Sequence, residues 1–370
     1  MSAVEAAGRL ASSDFVRVVA HADADGVASA ACICSALTEA GVGYHFTALE
    51  DPSDVTDEHG DVFCDLGAQY LNGISDAVVV DHHPSRGELV EGVLVGTDAP
   101  SSSVAAHRLA SRISSGDPVG ALVGAAGDGV PFEELPDTVD EAVEEGLERG
   151  EGTRLVGKDA AEALTYSTRP FTRLSGDPEA ARDFAESVEE KDLPTAVVLL
   201  ALTNEEARPD AAAELVGDVY RLPSGVHVHE LSRYVEACAV SGKHGLAFST
   251  CLDPRPHLEE ARSAWRAFES SLVETVRGAR IEEGAPSFAY IDGPSDTGAV
   301  ADVLRDWVTG DVVVVADDEA SFRAEGFDCE RVAQVAARAT GGDGGGHGSR
   351  AGASFDAPPE EFVSAVKEAL

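Results

Sequence analysis

Three short apolar segments near the amino terminus each end in acidic or imidazole side chains. They are FVRVVAH (15–21), which leads into Asp23 and Asp25, DVFCDLG (61–67), which contains Asp65, and AVVVDHH (77–83), which ends in His82 and His83. Each has the length and apolar content of a buried strand. A helical pattern and a further strand (42–49) lie between the first two. The alternation predicts an α/β fold with a parallel sheet covered on both faces, whose ligands bind where strands end.

The rest of the chain predicts more helices and a second α/β unit. Residues 102–205 are mostly helical in pattern, and 255–284 form one long amphipathic pattern. In the mixed stretch between them, His227 and His229 alternate as on a strand, which favours a solvated strand face. A glycine run, GGDGGGHGSRAGAS, interrupts the last α/β unit and predicts a shaped loop. We expect a first domain over 1–205, a mixed segment with a connecting helix over 206–284, and a smaller α/β domain over 285–370, with a cleft between the domains.

The charge balance is strongly acidic. Asp and Glu number 67 against 27 Lys and Arg, of which four are Lys, and the acidic residues run through every segment. We interpret this as adaptation to a very salty cytoplasm, as in haloarchaea, because at about 1 M salt the Debye length is about 3 Å and self-repulsion is screened. The alternative is an acidic protein of ordinary salt that avoids polyanions.

The sequence favours a cytoplasmic protein. No run of eighteen apolar residues predicts a transmembrane helix, so no membrane partner is expected. The amino terminus lacks the basic and apolar regions of a secretory signal. The six cysteines form no C-x-x-C pair, which favours buried free thiols over disulfides or a zinc site.

Carboxylates dominate the predicted strand ends. Asp23-Ala-Asp25-Gly26 is not an EF-hand loop, because the twelfth position is Cys34 rather than Glu. Asp128 ends a helix of small residues, GALVGAAGDG, that can pack closely on the sheet. Oxygen-rich ligands with a histidine suit Mn²⁺ or Mg²⁺ better than structural zinc. Two such ions clamp a phosphoryl group and acidify a bound water, which predicts phosphoester hydrolysis.

The order D-x-D, D, D-H-H, D along the first 130 residues resembles the four motifs of the DHH phosphoesterase superfamily. GGDGGGHGSRAG and SFRAEG (321–326) resemble the glycine-rich motif and the preceding strand of the DHH-associated domain. Together these motifs cover about residues 15–130 and 285–356. The spacing of His21 before Asp23 resembles the H-x-D-x-D-G form of the archaeal RecJ-like branch.

The resemblance implies a role for each matching residue. It implies that 1–205 is the metal-binding catalytic domain and 285–370 the substrate-binding domain. Two Mn²⁺ or Mg²⁺ ions are expected. The implied ligands are Asp23 and Asp25, one for each ion, Asp65 as a bridge, His82 and Asp128 to complete the set, and His21 as a further candidate. The implied contacts to the substrate phosphate or nucleotide end are His83, Arg323, His347 and the backbone amides of the 344–348 segment, including Gly345 and Gly346.

The resemblance implies a RecJ-like exonuclease acting on single-stranded DNA or RNA, with a replication or repair complex as a partner. Three alternatives remain open at this point. The first is an enzyme that degrades short oligoribonucleotides or small nucleotides such as cyclic dinucleotides or pAp. The second is a replication scaffold, although the intact ligand set speaks against a purely structural role. The third is a manganese pyrophosphatase, which the Arg323 and G-G-G-H elements fit less well.

Overall fold

The computed structural model describes residues 3–52, 55–56, 58–293 and 296–370, with the side chain of His347 outside the described part. Its strands are β1 (Phe15–His21), β2 (Gly43–Leu49), β3 (Val62–Cys64), β4 (Val78–Val80), β5 (Val93–Val95), β6 (Glu148–Thr153), β7 (Val216–Arg221), β8 (Arg280–Glu282), β9 (Ser287–Tyr290), β10 (Val312–Val315), β11 (Glu319–Arg323), β12 (Gly344–His347) and β13 (Arg350–Ser354).

The α-helices are α1 (Ala3–Ala11), α2 (Ala24–Glu39), α3 (Ser102–Ile113), α4 (Pro118–Gly127), α5 (Pro136–Glu144), α6 (Ala160–Tyr166), α7 (Pro178–Ser187), α8 (Leu193–Ala201), α9 (Pro209–Ala213), α10 (Val228–Val240), α11 (His244–Leu252), α12 (Leu258–Gly278), α13 (Thr297–Leu304), α14 (Cys329–Ala339) and α15 (Pro359–Ala369). Short 3-10 helices cover Ala68–Gly73, Phe132–Glu134 and Glu190–Asp192, and a π-helical turn covers Arg305–Thr309. Within the described residues, no helix is both long and apolar enough to cross a membrane.

The first compact unit, Met1–Glu151 with Asp218–Arg266, contains the predicted parallel sheet. Five strands pair in the order β2-β1-β3-β4-β5, all parallel. The predicted α/β class is confirmed, and β5 is a strand that the sequence pattern did not reveal. Because the strands are parallel, β1, β3 and β4 end at the same edge of the sheet, and their following residues come together there.

Helix α2 begins three residues earlier than the sequence pattern predicts. Asp23 is its N-cap, and the Asp23 carboxylate accepts a hydrogen bond of 2.8 Å from the Gly26 amide. The predicted turn at 22–26 is therefore mostly helix. Gly26 has a steric role, since a Cβ there would lie 2.4 Å from the His21 carbonyl oxygen. Its lack of a side chain lets the first turn of α2 lie against the end of β1.

The second compact unit is Gly152–Gly217 with Ala267–Leu370. Its six-stranded sheet has the order β12-β13-β11-β10-β9-β8, in which β9 and β10 are parallel and the other neighbours antiparallel. This is the additional α/β domain that the sequence predicted.

Strand β10 divides the core of the second unit. Val312 and Val314 pack into one hydrophobic cluster, and Val313 and Val315 pack into the other. The first cluster includes apolar residues from the 155–215 segment, which therefore packs on this sheet. Each compact unit is therefore built from two separate stretches of the chain. The domains predicted from the sequence, 1–205, 206–284 and 285–370, are each one continuous stretch. The functional assignment of those segments stays a prediction.

Two local predictions are wrong. The glycine run is not a loop, because Gly344–His347 forms β12 and pairs with β13 across a two-residue turn. His227 and His229 are not on a strand. His227 is the N-cap of α10, where its ring accepts a hydrogen bond from the Glu230 amide. Period-two alternation over three residues is too short to distinguish a strand from a helix start.

Candidate metal centre

The end of β1 and the start of α2 bring three predicted ligands to the sheet edge. His21 is the last residue of β1, and its Nδ1 lies 2.6 Å from Asp23 Oδ2 and 3.6 Å from Asp65 Oδ2. Asp25 lies in the first turn of α2 and is buried. Its Oδ2 accepts from the Ser102 amide at 2.7 Å, and its Oδ1 accepts from the Ser103 amide at 3.0 Å. Two amides at the start of α3 therefore orient this carboxylate.

Asp65 follows β3 and occupies the centre of the group. Its φ is +56°, a left-handed conformation that Asp adopts more readily than most residues. Its side chain is 3% exposed. Oδ1 lies 3.7 Å from His82 Nε2 and 3.6 Å from His83 Nδ1, whereas Oδ2 faces His21. The two carboxylate oxygens therefore face different candidate ligands, as a bridging carboxylate requires.

Strand alternation predicts that the adjacent imidazoles of His82 and His83 point to opposite sides. In the structure they do not. Strand β4 ends at Val80, so alternation does not extend to these residues. The rings of His82 and His83 contact each other, with centroids 4.4 Å apart, and both face Asp65. The buried Asp81 fixes this arrangement, because its Oδ1 accepts from the backbone and Nδ1 of His83, both at 2.9 Å.

Asp128 approaches from the end of α4. It is the C-cap of that helix, and its Oδ2 lies 3.4 Å from His82 Nε2. Helix α4 packs closely on α2 because its glycines face that helix. A Cβ at Gly124 would lie 2.6 Å from Asp25 Oδ1 and 2.4 Å from Ser103 Oγ.

The predicted ligands form overlapping groups. In each group, the candidate ligand atoms lie within 4.8 Å of one another. The groups are His21, Asp23 and Asp65; Asp65, His82 and His83; and Asp25, His82 and Asp128. The structure thus brings all six predicted ligands to one end of the sheet, with His83 beside them. Asp65 and His82 are each shared by two groups, as expected for two adjacent cation positions.

The electrostatics of the site favour a cation. Burial, together with the negative charge of Asp23, raises the pKa of Asp65 to about 8. Burial and the charges of Asp25 and Asp65 raise the pKa of Asp128 well above its ordinary value. Burial lowers the pKa of His82, which favours the neutral imidazole that binds metals. Carboxylates held this close retain protons unless a cation neutralises them, so the donor set fits Mn²⁺ or Mg²⁺.

Sequence reasoning missed the buried serines at the start of α3, of which Ser102 and Ser103 contact the candidate ligands. Ser101, Ser102 and Ser103 are completely buried at the start of α3. Ser102 Oγ donates to Asp65 Oδ1 at 2.8 Å and accepts from the His82 amide at 3.1 Å. Three consecutive serines before an apolar helix are a capping signal, and this run could have directed attention to them.

The predicted substrate contacts lie in the second unit. Arg323, on β11, is 12% exposed, and its Nε lies 2.6 Å from Asp302 Oδ1. Gly345 and Gly346 are in β12, where they pair with Gly352 and Ala351. The backbone of His347 ends that strand, and its side chain lies outside the described residues. The glycine amides are thus in an edge strand rather than in an anion-binding loop.

Asp302 also forms ion pairs with two further arginines that were not among the predicted site residues. Arg350 Nη2 lies 2.5 Å from Asp302 Oδ1, and Arg169 Nη2 lies 3.7 Å from Asp302 Oδ2. Burial opposes ionisation of Asp302, but the charges of Arg323 and Arg350 hold its pKa below the ordinary value. Three guanidiniums therefore converge on one carboxylate in a chain whose net charge is −40.

No protein-family model matches the chain. Among curated proteins it is similar to an uncharacterized protein of Haloarcula marismortui, with 28% identity over 381 residues that cover 98% of this chain and 95% of the relative. The similarity therefore includes both compact units.

Solved structures show the same fold. RecJ from Thermus thermophilus in complex with Mn²⁺ matches with a TM-score of 0.62 and 17% identity over 99% of this chain, which spans only 54% of that RecJ. An exonuclease RecJ bound to manganese matches with a TM-score of 0.59 and 17% identity, over 100% of this chain and 94% of the other. CDC45 from Entamoeba histolytica matches with a TM-score of 0.63 and 9% identity, over 100% and 97% of the two chains. The chain therefore has the fold of these RecJ and CDC45 structures, which is the fold that the resemblance to the DHH motifs implied.

Proposed function

We propose that this protein is a phosphoesterase dependent on two Mn²⁺ or Mg²⁺ ions. The observation that carries the proposal is the pair of ligand groups, His21–Asp23–Asp65 and Asp25–His82–Asp128, which the oxygens of Asp65 connect. When bound, two such ions stabilise the charge of a phosphoryl group and lower the pKa of a water molecule. Two structures of the same fold are RecJ proteins bound to manganese, which supports the choice of metal.

His83 is suited to contact the substrate phosphate. Its hydrogen bond to Asp81 raises the pKa of His83 to about 9, so the ring is cationic at neutral pH. Because Nδ1 bonds Asp81, Nε2 is the atom that donates to a phosphate oxygen. Its side chain is 40% exposed, compared with 22% for His82. These differences in pKa and exposure support His82 as the ligand and His83 as the substrate contact.

The substrate we propose is single-stranded nucleic acid, cleaved by a RecJ-like exonuclease. Arg350 and Arg169, whose side chains are about half exposed, are suited to donate to a phosphate, and Arg323 holds the Asp302 carboxylate between them. The net charge of −40 disfavours long-range attraction of a polyanion, so affinity must come from short-range contacts and the metals. A scaffold without catalysis would not need this ligand set, which the described residues retain in full.

Digestion of end-labelled single-stranded DNA and RNA tests the proposal. Oligonucleotides of several lengths are incubated with the protein, Mn²⁺ and about 1 M salt, where the acidic surface is screened. We expect stepwise shortening from one end, loss of activity with a chelator, and recovery with Mn²⁺ but less with Zn²⁺. Cleavage of dinucleotides alone would instead favour the small-nucleotide alternative. No hydrolysis of any phosphoester would contradict the proposed enzyme.

The affinity for Mn²⁺ is expected to increase with pH. Below about pH 8 the ion must displace the proton of Asp65, and the raised pKa of Asp128 adds a second proton to displace, so the apparent affinity should rise at least about tenfold per pH unit from about pH 6 to about pH 8. In the metal-free protein the raised pKa of Asp65 also makes the free energy of unfolding depend on pH. Its contribution to stability is present below about pH 4, near the ordinary pKa of Asp, and is lost as the pH rises towards 8.

Isothermal titration calorimetry measures this linkage directly. Titrations at several pH values, in two buffers with different ionisation enthalpies, give both the affinity and the number of protons released. An affinity that is flat or falls between pH 6 and 8 would show that Asp65 is not a ligand that must lose a proton.

Replacing Arg350 with alanine should weaken nucleic-acid binding without slowing the chemical step. Its side chain is 47% exposed and joined to Asp302 by one nitrogen, so it can also reach a phosphate. Loss of a charge-assisted hydrogen bond should raise KM for an oligonucleotide about tenfold or more. Hydrolysis of a small artificial phosphodiester should be unchanged.

Arg323 and Arg280 provide the comparison for this prediction. Arg323 also bonds the Phe322 and Gly298 carbonyls, so Arg323→Ala should raise KM and additionally lower the unfolding temperature. Arg280, which stacks on Tyr290 in the same unit, is the control, and Arg280→Ala should leave both substrates unaffected. Equal losses on both substrates for Arg350→Ala would place it in the chemical step instead.

A further inference from the structure

Ser102 makes hydrogen bonds to three separate candidate ligands. Its backbone amide donates to Asp25 Oδ2 at 2.7 Å, its hydroxyl donates to Asp65 Oδ1 at 2.8 Å, and the hydroxyl oxygen accepts from the His82 amide at 3.1 Å. These contacts reach residues that follow β1, β3 and β4, which are far apart in sequence. No solvent competes for them, because Ser102 is completely buried.

The direction of the hydroxyl proton follows from its partners. The His82 backbone N–H can only donate, so the hydroxyl oxygen must accept there. The single hydroxyl proton is then directed to Asp65 Oδ1. This bond fixes the rotation of the Asp65 carboxylate, with Oδ1 towards His82 and His83 and Oδ2 towards His21.

We propose that Ser102 is a positioning residue that sets the bridging orientation of Asp65 and places Asp25 and His82 around it. The inference rests on the proposed two-metal function. Without the hydroxyl, Asp65 can rotate, and the His82 amide loses its partner in a buried place. Groups that orient metal ligands typically contribute a factor of about 10 to 100 in metal affinity.

Ser101 is a matched control on the same turn. It is equally buried, and its hydroxyl bonds Ser103 Oγ at 2.9 Å and accepts from the Val104 amide at 3.4 Å. Among the described residues, the Ser101 hydroxyl makes no hydrogen bond to a candidate ligand. Ser101→Ala should therefore lower the unfolding temperature through the lost helix cap without changing metal binding.

Titration of the chelator-treated full-length protein with Mn²⁺, followed by electron paramagnetic resonance, separates these effects. The signal of unbound Mn²⁺ gives the number and affinity of bound ions without any substrate. We expect two ions for the wild type, an affinity for at least one ion reduced about 10- to 100-fold in Ser102→Ala, and substantial recovery in Ser102→Thr. Should Ser102→Ala fail to fold, Ser102→Cys offers a similar shape with a much weaker donor.

The outcomes distinguish the inference from the function on which it rests. Wild-type affinity in a folded Ser102→Ala protein, or an equal loss in Ser101→Ala, would overturn the positioning role while leaving the two-metal proposal intact. A wild-type protein that binds no Mn²⁺ would overturn the proposed function itself.

Discussion

Asp65→Asn is expected to lower kcat/KM at least about 1000-fold, on an oligonucleotide and on a small phosphodiester alike. Asparagine keeps the size of the side chain and tolerates the positive φ at this position. It lacks the negative charge and one of the two oxygens that face His82 and His21. A factor of 1000 corresponds to about 4 kcal/mol, within the range that metal stabilisation of a transition state supplies.

The control for this variant is Asp76→Asn. Asp76 also has a positive φ, of +48°, but its side chain is exposed and pairs with Arg9. Its replacement should leave kcat/KM unchanged. Steady-state kinetics with Mn²⁺ and circular dichroism of each variant make the comparison. If Asp65→Asn kept more than about a tenth of the activity, the two-metal mechanism would be wrong.

Gly124→Ala is expected to destabilise the protein by about 2–3 kcal/mol and to weaken metal binding. The added methyl group would lie 2.4 Å from Ser103 Oγ and 2.6 Å from Asp25 Oδ1, in a fully buried place. Overpacking of this kind forces neighbouring groups to move. Since Asp25 is one of the groups that must move, stability and Mn²⁺ affinity should fall together. Denaturant unfolding and Mn²⁺ titration measure the two effects.

Gly245→Ala is the matched substitution in the same unit. Gly245 lies in α11, and a Cβ there would meet no heavy atom within 4 Å. Alanine should stabilise the protein by up to about 1 kcal/mol, through a less flexible unfolded chain, and leave metal binding unchanged. Wild-type stability and Mn²⁺ affinity in Gly124→Ala would show that α4 can move away without disturbing Asp25.

The sequence predicted the sheet edge well because strand ends are local features. An apolar run that stops at Asp65 or His82 is visible without knowledge of tertiary contacts, and the parallel arrangement brings the ends together. The helix start at Ser102 was also predicted, but its role was not, since that role depends on residues from three other segments. Hydrogen bonds between distant segments leave no periodic pattern.

The second unit was harder to predict for two physical reasons. The apolar faces of the helices between 155 and 215 show that they are buried, but not which sheet they pack against. The glycines from 344 to 346 have low strand propensity, and pairing with β13 overrides that preference. Arg323 was recognised by its motif, whereas the convergence of Arg350 and Arg169 on Asp302 became visible only in the structure.

The discontinuous core of the second unit has a consequence for the order in which a growing chain can fold. Apolar residues between 155 and 215 leave the ribosome about 100 to 160 residues before Val312 and Val314, which they pack against. The 218–266 segment, which belongs to the first unit, is synthesised in that interval. A nascent chain therefore carries an uncovered apolar surface while its first unit is being completed. A fragment that ends before β9 would keep that surface exposed permanently and would be prone to aggregate.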